Sequence, residues 1–351
     1  MTSIESIDKN FQVETNLNLP DVRFYNARST PFQIYGVLHQ NGLFRRMPED
    51  AAKGVSQGVY HLHSQTAGGR VRFSTDSKYV AISAKMPGVG KMPHFAITGS
   101  AGFDMYVNEG GRDKFVGTFV PPFNITTGYE GVITFPVAKH REITINFPLY
   151  SNVSELYIGL QESATVGEGA KYADGKPIVF YGSSITQGGC ASRPGTAYTS
   201  IVARKFNKDH INLGFSGSAR GEKEIADYIA GLDMDLFVYD YDHNAPSPKH
   251  LLETHEPMFK KIREANPTLP IVMMTMISKP ATDVRLAERK AAIRKTYDNA
   301  IAAGDKNVYF LDFNGLMDDE EDHGTVEGIH PTDWGFAVMA RELERALEKI
   351  I

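Results

Sequence analysis

Residues 181–188 have the sequence Tyr181-Gly182-Ser183-Ser184-Ile185-Thr186-Gln187-Gly188. An apolar run at 178–180 precedes them, and a helix-like stretch at 196–206 follows. A serine at a sharp turn between a strand and a helix is where acyl-transfer enzymes expose a nucleophile. Far downstream, residues 327–331 are Glu327-Gly328-Ile329-His330-Pro331, which places an acid three positions before a histidine. The two segments predict a Ser-His-acid hydrolase, because such a triad is recognised by roles rather than by chain order.

Composition narrows the class of protein. The chain has 351 residues, which suits two domains better than one small core. Its 42% hydrophobic and 23% charged residues are ordinary for a globular protein. A formal charge of -5 disfavours nucleic acid as a partner, because phosphate binding needs a basic field. No run approaches the ~18 apolar residues of a membrane span. We therefore expect no nucleic-acid or membrane partner, and a homo-oligomer is left open.

The cysteine content and the N-terminus bear on the compartment. The single cysteine, Cys190, excludes an intramolecular disulfide and a cysteine-rich metal site, and we interpret it as a small filler residue. Residues 1–10 lack the basic start and apolar centre of a signal peptide. The sequence as given predicts a cytoplasmic protein, or a secreted or periplasmic one if a leader was removed.

The first part of the chain has the pattern of short strands. Residues 71–74, 80–86 and 142–147 alternate apolar and polar positions, as half-buried strands do. Turn signals rich in glycine and proline separate these segments, and no long helical period intervenes. This pattern predicts an all-β sandwich or jelly-roll domain over 1–165, followed by a linker at 164–174.

The second part alternates strand-like and helix-like segments. The apolar runs lie at 178–181, 211–213, 236–239, 271–277 and 308–311. The helical patterns lie at 196–206, 222–232, 250–265, 284–303 and 335–350. Such alternation predicts a parallel sheet covered on both faces. We expect a flavodoxin-like three-layer α/β/α domain over 175–351, with its ligand at the carboxyl ends of the strands.

Four blocks of this second part fall at or beyond predicted strand ends. They are Gly182-Ser183-Ser184-Ile185-Thr186, Asn212-Leu213-Gly214-Phe215-Ser216-Gly217, Asp240-Tyr241-Asp242-His243-Asn244 and Glu327-Gly328-Ile329-His330-Pro331. Together they resemble the SGNH (GDSL-type) hydrolase family, which is named for Ser, Gly, Asn and His in separate blocks. The resemblance covers residues 176–351. It implies a nucleophile at Ser184 and a general base at His330. It also implies an oxyanion hole made by the backbone N–H groups of Ser184 and Gly217 and the side-chain amide of Asn244.

The triad acid departs from the pattern of the family. The family places an aspartate three residues before the histidine, whereas this chain has Glu327, which is one methylene longer. Glutamate can orient the imidazole equally well, and we assign the acid to Glu327. Asp319, Asp322 or a backbone carbonyl remain alternatives. Ser183 also replaces the aspartate that commonly precedes the nucleophile.

The first part carries a resemblance of its own. Residues 102–106, Gly102-Phe103-Asp104-Met105-Tyr106, resemble the "GxDLY" signature of the jelly-roll domain that precedes one branch of these esterases, with Met105 in place of leucine. The resemblance implies a sandwich packed against the hydrolase domain. For Asp104 and Tyr106, a structural role and a role at the active-site rim are equally open.

The resemblance to this branch implies a serine esterase for short acyl groups, with acetyl on a carbohydrate as the expected ester. It implies no organic cofactor and no metal. Two alternatives stay open: a catalytically inactive carbohydrate-binding protein, suggested by Glu327 and Ser183, and an acyltransferase that uses the same serine.

Other candidate ligands and charges are weaker. His61 and His63 lie two positions apart on a predicted strand and would share a face, but no third metal ligand is apparent. The acidic run at 318–323 lacks the glycine-centred spacing of a calcium loop, and a solvated loop is favoured. His243 either lines the pocket or packs its loop.

Overall fold

The computed structural model describes residues 15–277, 284–317 and 323–351. The alternative acids Asp319 and Asp322, and most of the acidic run, lie outside the described residues.

The first part of the chain forms two antiparallel sheets. Its strands are β1 (Val22–Asn26), β2 (Gln33–Tyr35), β3 (Leu38–Gln40), β4 (Leu43–Arg45), β5 (Arg70–Thr75), β6 (Tyr79–Lys85), β7 (Phe103–Glu109), β8 (Arg112–Phe119), β9 (Gly128–Thr134), β10 (Arg141–Asn146), β11 (Glu155–Gln161) and β12 (Val166–Gly167). One sheet has the order β1-β11-β6-β9, the other has the order β12-β5-β10-β7-β8 with β2 also paired to β5, and β3 and β4 form a separate hairpin. Phe73, Ile82, Ile145 and Ile158 belong to one buried cluster to which both sheets contribute. The predicted β-sandwich is confirmed.

Strand β5 is buried on both faces, although residues 71–74 predict one exposed face. Arg70 and Arg72 are only 3% and 1% exposed. Arg70 donates a hydrogen bond to the carbonyl of His210 at 3.3 Å, and the Arg72 guanidinium lies 4.1 Å from the centre of the Tyr172 ring. The second face is therefore covered by the following part of the chain, which an alternating pattern cannot reveal.

Short helices interrupt the strands of this part. They are α1 (Glu49–Val55), α2 (Gln57–Leu62) and α3 (Ile97–Ser100). The strand predicted around His61 and His63 is wrong, because His61 lies in α2 and His63 follows it. Ser56 caps α2 by accepting a hydrogen bond from the Val59 amide at 3.3 Å, and a helix of 6 residues is too short to show a helical period. His63 Nε2 lies 2.6 Å from Nη1 of Arg45, whereas His61 Nε2 lies 2.8 Å from Nε2 of Gln57.

The second part forms one parallel sheet with helices on both faces. Its strands are β13 (Ile178–Gly182), β14 (His210–Gly214), β15 (Leu236–Asp240), β16 (Ile271–Met274) and β17 (Val308–Leu311). Its helices are α4 (Ser184–Gln187), α5 (Tyr198–Lys205), α6 (Lys223–Ala230), α7 (Pro248–Ala265), α8 (Val284–Ala302) and α9 (Asp333–Leu347), with a 3₁₀ turn at Pro194–Thr196. No helix among the described residues is long and apolar enough to cross a bilayer.

Alternate residues of the parallel strands face opposite cores. Phe180 and Val238 pack in the cluster that includes α5 and α9, whereas Tyr181 and Phe237 pack in the cluster that includes α6, α7 and α8. The strand order β14-β13-β15-β16-β17 is the flavodoxin-like order, so the predicted three-layer α/β/α fold is confirmed. Because β13 lies between β14 and β15, the carboxyl ends of these strands meet at the switch point where such sheets bind ligands.

The predicted linker at 164–174 is partly a strand. Residues Val166 and Gly167 pair with Thr75 and Ser74 at the edge of the second sheet. The domain boundaries 1–165 and 175–351 stay a prediction.

The residues of the GxDLY signature bind the following part of the chain. Asp104, on β7, is fully buried and accepts hydrogen bonds from Asn146 Nδ2 at 2.8 Å and from the Gly195 amide at 2.9 Å. The Tyr106 ring lies so close to Gly195 that a Cβ there would be 2.2 Å from the tyrosine hydroxyl. These contacts favour the structural role for both side chains.

Candidate active site

The candidate nucleophile lies at the turn from β13 to α4. The strand ends at Gly182, and Ser184 is the first residue of the helix. The buried Ser183 caps this helix by accepting a hydrogen bond from the Ile185 amide at 3.2 Å. Ser184 itself is partly exposed. The turn therefore presents the Ser184 hydroxyl at the carboxyl edge of the sheet, where substrate can reach it.

Ser184, His330 and Glu327 form one chain of hydrogen bonds. Ser184 Oγ lies 2.8 Å from His330 Nε2, and His330 Nδ1 lies 2.6 Å from Glu327 Oε1. The same carboxylate oxygen accepts the backbone N–H of His330 at 3.1 Å. The turn is closed by a hydrogen bond from the Val326 amide to the His330 carbonyl at 2.8 Å. The three residues, which come from two distant sequence blocks, thus lie together, with the geometry that general-base activation of a serine requires.

The Glu327 carboxylate is poised to carry negative charge. Partial burial raises its pKa, but the hydrogen bonds from the ring and the amide of His330 lower it by more, so the pKa lies below its usual value. At neutral pH the group is therefore an anion beside an imidazole that would become positive on taking a proton. The extra methylene of glutamate does not prevent the contact.

The candidate oxyanion-hole donors lie on turns that are tied together. The Phe215 amide donates to the Gly182 carbonyl at 2.8 Å, and the Phe215 carbonyl accepts from Asn244 Nδ2 at 2.8 Å. A primary amide has two N–H groups, so Asn244 keeps a second donor for a ligand. Gly217 has φ of +67°, which favours glycine, although a Cβ there would meet no described atom within 4 Å. The positive φ of the backbone, rather than crowding by neighbouring atoms, therefore explains why position 217 is a glycine.

A buried carboxyl group supports the nucleophile turn. Asp240, at the end of β15, accepts hydrogen bonds from the hydroxyl of Thr186 and, at 3.1 Å, from the hydroxyl of Tyr198. Burial raises the pKa of Asp240 to about 8, and the neighbouring Asp242 also raises it. The group is therefore mostly protonated at neutral pH. Asp240 belongs to the third sequence block, but no role could be assigned to it there.

Replacing Asp240 with asparagine is expected to reduce the slope of stability against pH. The pKa of Asp240 is about 8 in the folded state and about 4 when unfolded, so the wild type loses free energy of unfolding as pH rises through that window. A neutral amide does not titrate. Asp242, whose pKa is raised by burial to about 6, still titrates in the variant. Part of the dependence of the free energy of unfolding on pH therefore remains. Urea unfolding at about pH 5 and about pH 8 measures the difference, and equal slopes in the two proteins would contradict this account.

Two family patterns match the chain. The pattern of the GDSL-like lipase/acylhydrolase family matches residues 175–348, and the GxDLY pattern, described as the N-terminus of an SGNH-hydrolase-type esterase, matches residues 22–166. The chain belongs to the GDSL-like lipase/acylhydrolase family. It is therefore a carboxylic ester hydrolase, and the resemblance seen in the four sequence blocks is confirmed. No curated protein matches the sequence of this esterase.

Solved structures share the fold over nearly the whole chain. A protein of Bacteroides ovatus described as a GDSL-like lipase is 26% identical, with a TM-score of 0.85 over 94% of this chain and 98% of that chain. The salicylyl-acyltransferase SsfX3 from a tetracycline biosynthetic pathway is 19% identical, with a TM-score of 0.77 over 95% and 98%. An acetyl xylan esterase from Butyrivibrio proteoclasticus is 12% identical, with a TM-score of 0.59 over 93% and 98%. At these identities the last two show a common fold alone.

The N-terminal part of the esterase contributes side chains to this site. The Tyr150 hydroxyl donates a hydrogen bond to the Ser184 carbonyl at 3.1 Å, and the exposed His94 ring lies 5.5 Å from the His330 ring. Both residues come from loops of the sandwich and belong to no motif. Sequence reasoning missed them because no local pattern reports a contact between such distant segments.

Two further residues border the site. His243 lies close enough to the triad for the charge of His330 to affect it. Burial lowers the pKa of His243 to about 4, and the charges of His330 and Arg289 lower it further, so the ring is uncharged at neutral pH. Burial, together with the charge of Glu327, raises the pKa of the Cys190 thiol to about 12, so the thiol is not a thiolate nucleophile. The backbone of Cys190 has φ of +72°.

One group of side chains in the described ranges has metal-ligand spacing. The ligand atoms of His94, Cys190 and His330 all lie within 4.8 Å of one another. His330 belongs at the same time to the Ser184 hydrogen-bond chain.

Proposed function

We propose that this esterase removes short acyl groups, with acetyl as the first expectation, from a carbohydrate or a similar polar scaffold. We assign the nucleophile to Ser184, the general base to His330 and the orienting acid to Glu327. The observation that carries the proposal is the hydrogen-bond chain from Ser184 Oγ to His330 Nε2 at 2.8 Å and from His330 Nδ1 to Glu327 at 2.6 Å. No cofactor takes part in the proposed reaction.

The proposed reaction proceeds through an acyl-enzyme. The Ser184 hydroxyl attacks the ester carbonyl carbon while His330 Nε2 accepts its proton. Glu327 holds the Nδ1–H, fixes the tautomer with its lone pair on Nε2, and stabilises the imidazolium. The tetrahedral intermediate then expels the alcohol, which takes the proton from His330. Water, activated by the same histidine, hydrolyses the acyl-serine, releases the acid and restores the Ser184 hydroxyl.

The oxyanion of the tetrahedral intermediate needs donors in fixed positions. We assign this role to the backbone N–H groups of Ser184 and Gly217 and to the free N–H of the Asn244 amide. The first N–H groups of a helix have no acceptor within the helix, so the Ser184 amide at the start of α4 is available to substrate. The hydrogen bond from Asn244 to Phe215 fixes the side chain before substrate arrives, which supports this assignment.

Replacing Asn244 with alanine is expected to lower kcat by roughly 10²-fold, which corresponds to about 3 kcal/mol of lost transition-state stabilisation. KM should change little, because the oxyanion forms after substrate binds. Steady-state hydrolysis of p-nitrophenyl acetate measures both constants. The variant also loses its bond to the Phe215 carbonyl, so its melting temperature serves as the control. A folded variant with the kcat of the wild type would remove Asn244 from the oxyanion hole.

The substrate class rests on resemblance and on a shared fold. The branch with a GxDLY domain is expected to act on small acyl esters of polar scaffolds, and the chain shares its fold with an acetyl xylan esterase at 12% identity. The test is acetate release from acetylated xylo-oligosaccharides, together with the rates for p-nitrophenyl acetate and p-nitrophenyl octanoate. We expect free acetate and a preference for the acetyl ester. A preference for octanoate, or no acetate from any acetylated sugar, would contradict the proposed substrate.

An acyltransferase is the second candidate, because the chain shares its fold with a salicylyl-acyltransferase at a TM-score of 0.77. An alcohol would then replace water in attacking the acyl-serine, and the same residues would serve. Product analysis in the presence of a sugar acceptor separates the two reactions. Free acetate identifies the hydrolase, and a new sugar ester identifies the transferase.

A further inference from the structure

Three side chains with metal-ligand chemistry meet beside the proposed nucleophile. His94 comes from the loop before α3, Cys190 from the segment after α4, and His330 from the loop before α9. The Cys190 sulfur and one ring nitrogen of each histidine lie within 4.8 Å of one another. The two imidazole rings are 5.5 Å apart and inclined by 42°. Two histidines and a thiolate form a ligand set that suits zinc.

The spacing lies close to that of a bound ion. Zinc–nitrogen bonds of about 2.0–2.1 Å and zinc–sulfur bonds of about 2.3 Å place one sulfur and two nitrogens of a tetrahedral site about 3.3–3.6 Å apart. Separations of up to 4.8 Å therefore need to close by about 1 Å. The exposed His94 has room to make this movement, whereas Cys190 is buried and His330 is anchored by Glu327. A water molecule would complete four-coordination, and the exposure of His94 leaves a path from solvent.

The hydrogen bond to Glu327 decides which nitrogen of His330 can bind a metal. Nδ1 donates its proton to Glu327 at 2.6 Å, so the free lone pair is on Nε2. A carboxylate behind a metal-bound histidine is the usual outer-shell arrangement, which orients the ring and raises its basicity. Nε2 is also the atom that lies 2.8 Å from Ser184 Oγ. A metal and the serine therefore compete for one lone pair.

We propose that His94, Cys190 and His330 bind a zinc-class divalent cation, and that the bound ion switches the esterase off by occupying the nitrogen that Ser184 needs. On binding, the Cys190 thiol loses its proton to solvent, the sulfur and the two imidazole nitrogens coordinate the ion, and the hydrogen bond between Ser184 and His330 breaks. Nothing is oxidised or reduced. The sulfur ligand discriminates against magnesium and calcium, which prefer oxygen. The binding does not depend on the proposed function, and only its inhibitory consequence does.

Cobalt(II) tests the binding without any measurement of activity. Titration of the full chain with CoCl2 is expected to produce a thiolate-to-cobalt charge-transfer band and the visible bands of a tetrahedral site, which ZnCl2 then removes. Cys190→Ala should lose the charge-transfer band, and His94→Gln should need roughly tenfold more cobalt, because a lost ligand weakens metal binding at least that much. His140→Gln, a change at an exposed histidine between β9 and β10, should match the wild type. Ser184→Ala should keep the spectrum, so failure of the metal site and failure of the esterase assignment are distinguishable.

Zinc inhibition tests the consequence. ZnCl2 is expected to lower p-nitrophenyl acetate turnover by the wild type at least tenfold, MgCl2 should have no effect, and a chelator should restore the rate. The zinc concentration that halves the rate should be higher by roughly tenfold or more for His94→Gln and for Cys190→Ala than for the wild type. Each rate is expressed relative to the metal-free rate of the same variant. If Cys190→Ala fails to fold, the exposed His94→Gln variant still decides the question. Absence of the charge-transfer band in the folded wild type would overturn the proposal, as would equal zinc inhibition of the wild type and both variants.

Discussion

Replacing Ser184 with alanine is expected to lower kcat for p-nitrophenyl acetate by roughly 10⁴- to 10⁶-fold, because the variant lacks the hydroxyl that we propose forms the acyl-enzyme. Ser184 Oγ is the atom at 2.8 Å from His330 Nε2, and alanine removes it without disturbing the start of α4. Steady-state hydrolysis by purified protein measures the loss. The circular dichroism spectrum and the melting temperature should be those of the wild type.

Ser183→Ala is the matched control for this substitution. The Ser183 hydroxyl caps α4 through the Ile185 amide but has no role in the proposed chemistry. We expect its loss to cost about 1 kcal/mol of stability, as for other N-caps. Its kcat should remain far above that of Ser184→Ala. If Ser183→Ala were the inactive variant and Ser184→Ala the active one, the nucleophile would be wrongly assigned.

Replacing Glu327 with glutamine is expected to lower kcat by roughly 10³-fold or more, as losses of the triad acid do in other serine hydrolases. Glutamine keeps the shape of the side chain and an oxygen that can accept from Nδ1, but it removes the negative charge that stabilises the imidazolium. It can also offer an N–H to Nδ1, which would fix the wrong tautomer. The kcat of the purified variant measures the effect, and KM should change far less.

Two companion variants sharpen the test of the acid. Glu327→Asp keeps the charge but shortens the reach by one methylene, so its activity should lie between that of the wild type and that of Glu327→Gln. Glu168→Gln removes an exposed carboxylate outside the site and should leave kcat unchanged. Near-normal activity of Glu327→Gln would transfer the role to Asp319, Asp322 or a backbone carbonyl.

Local sequence patterns predicted the elements that carry the site. The apolar run at 178–181 corresponds to β13 at Ile178–Gly182, because parallel strands buried on both faces are continuously apolar. The helix predicted at 250–265 begins two residues earlier, at Pro248, because Ser247 caps it and proline suits the first turn. Element type was thus easier to predict than its first residue.

Contacts between distant segments could not be predicted in the same way. The burial of Arg72 depends on the Tyr172 ring, which lies far along the chain and covers a strand face that the pattern marks as polar. His94 reaches the His330 ring from a loop of the sandwich without any motif. The support of the nucleophile turn by Asp240 depends on strand order, which local periodicity does not contain.

The serine turn and the segment 327–331 predicted a Ser-His-acid triad, and the resemblance of the four blocks to a family then assigned a role to each residue. Spacing alone left the acid open, since Glu327 stands where an aspartate is usual. Its 2.6 Å contact with His330 now favours glutamate over the alternatives.

The most direct test of the central claim is covalent labelling with a fluorophosphonate, with the adduct located by peptide mass spectrometry. The reagent phosphonylates only a serine that a base activates, so it reports the nucleophile without any assumption about substrate. We expect one adduct on Ser184 in the wild type and no labelling of His330→Ala. An adduct on another residue, or no adduct in folded and active protein, would contradict the claim.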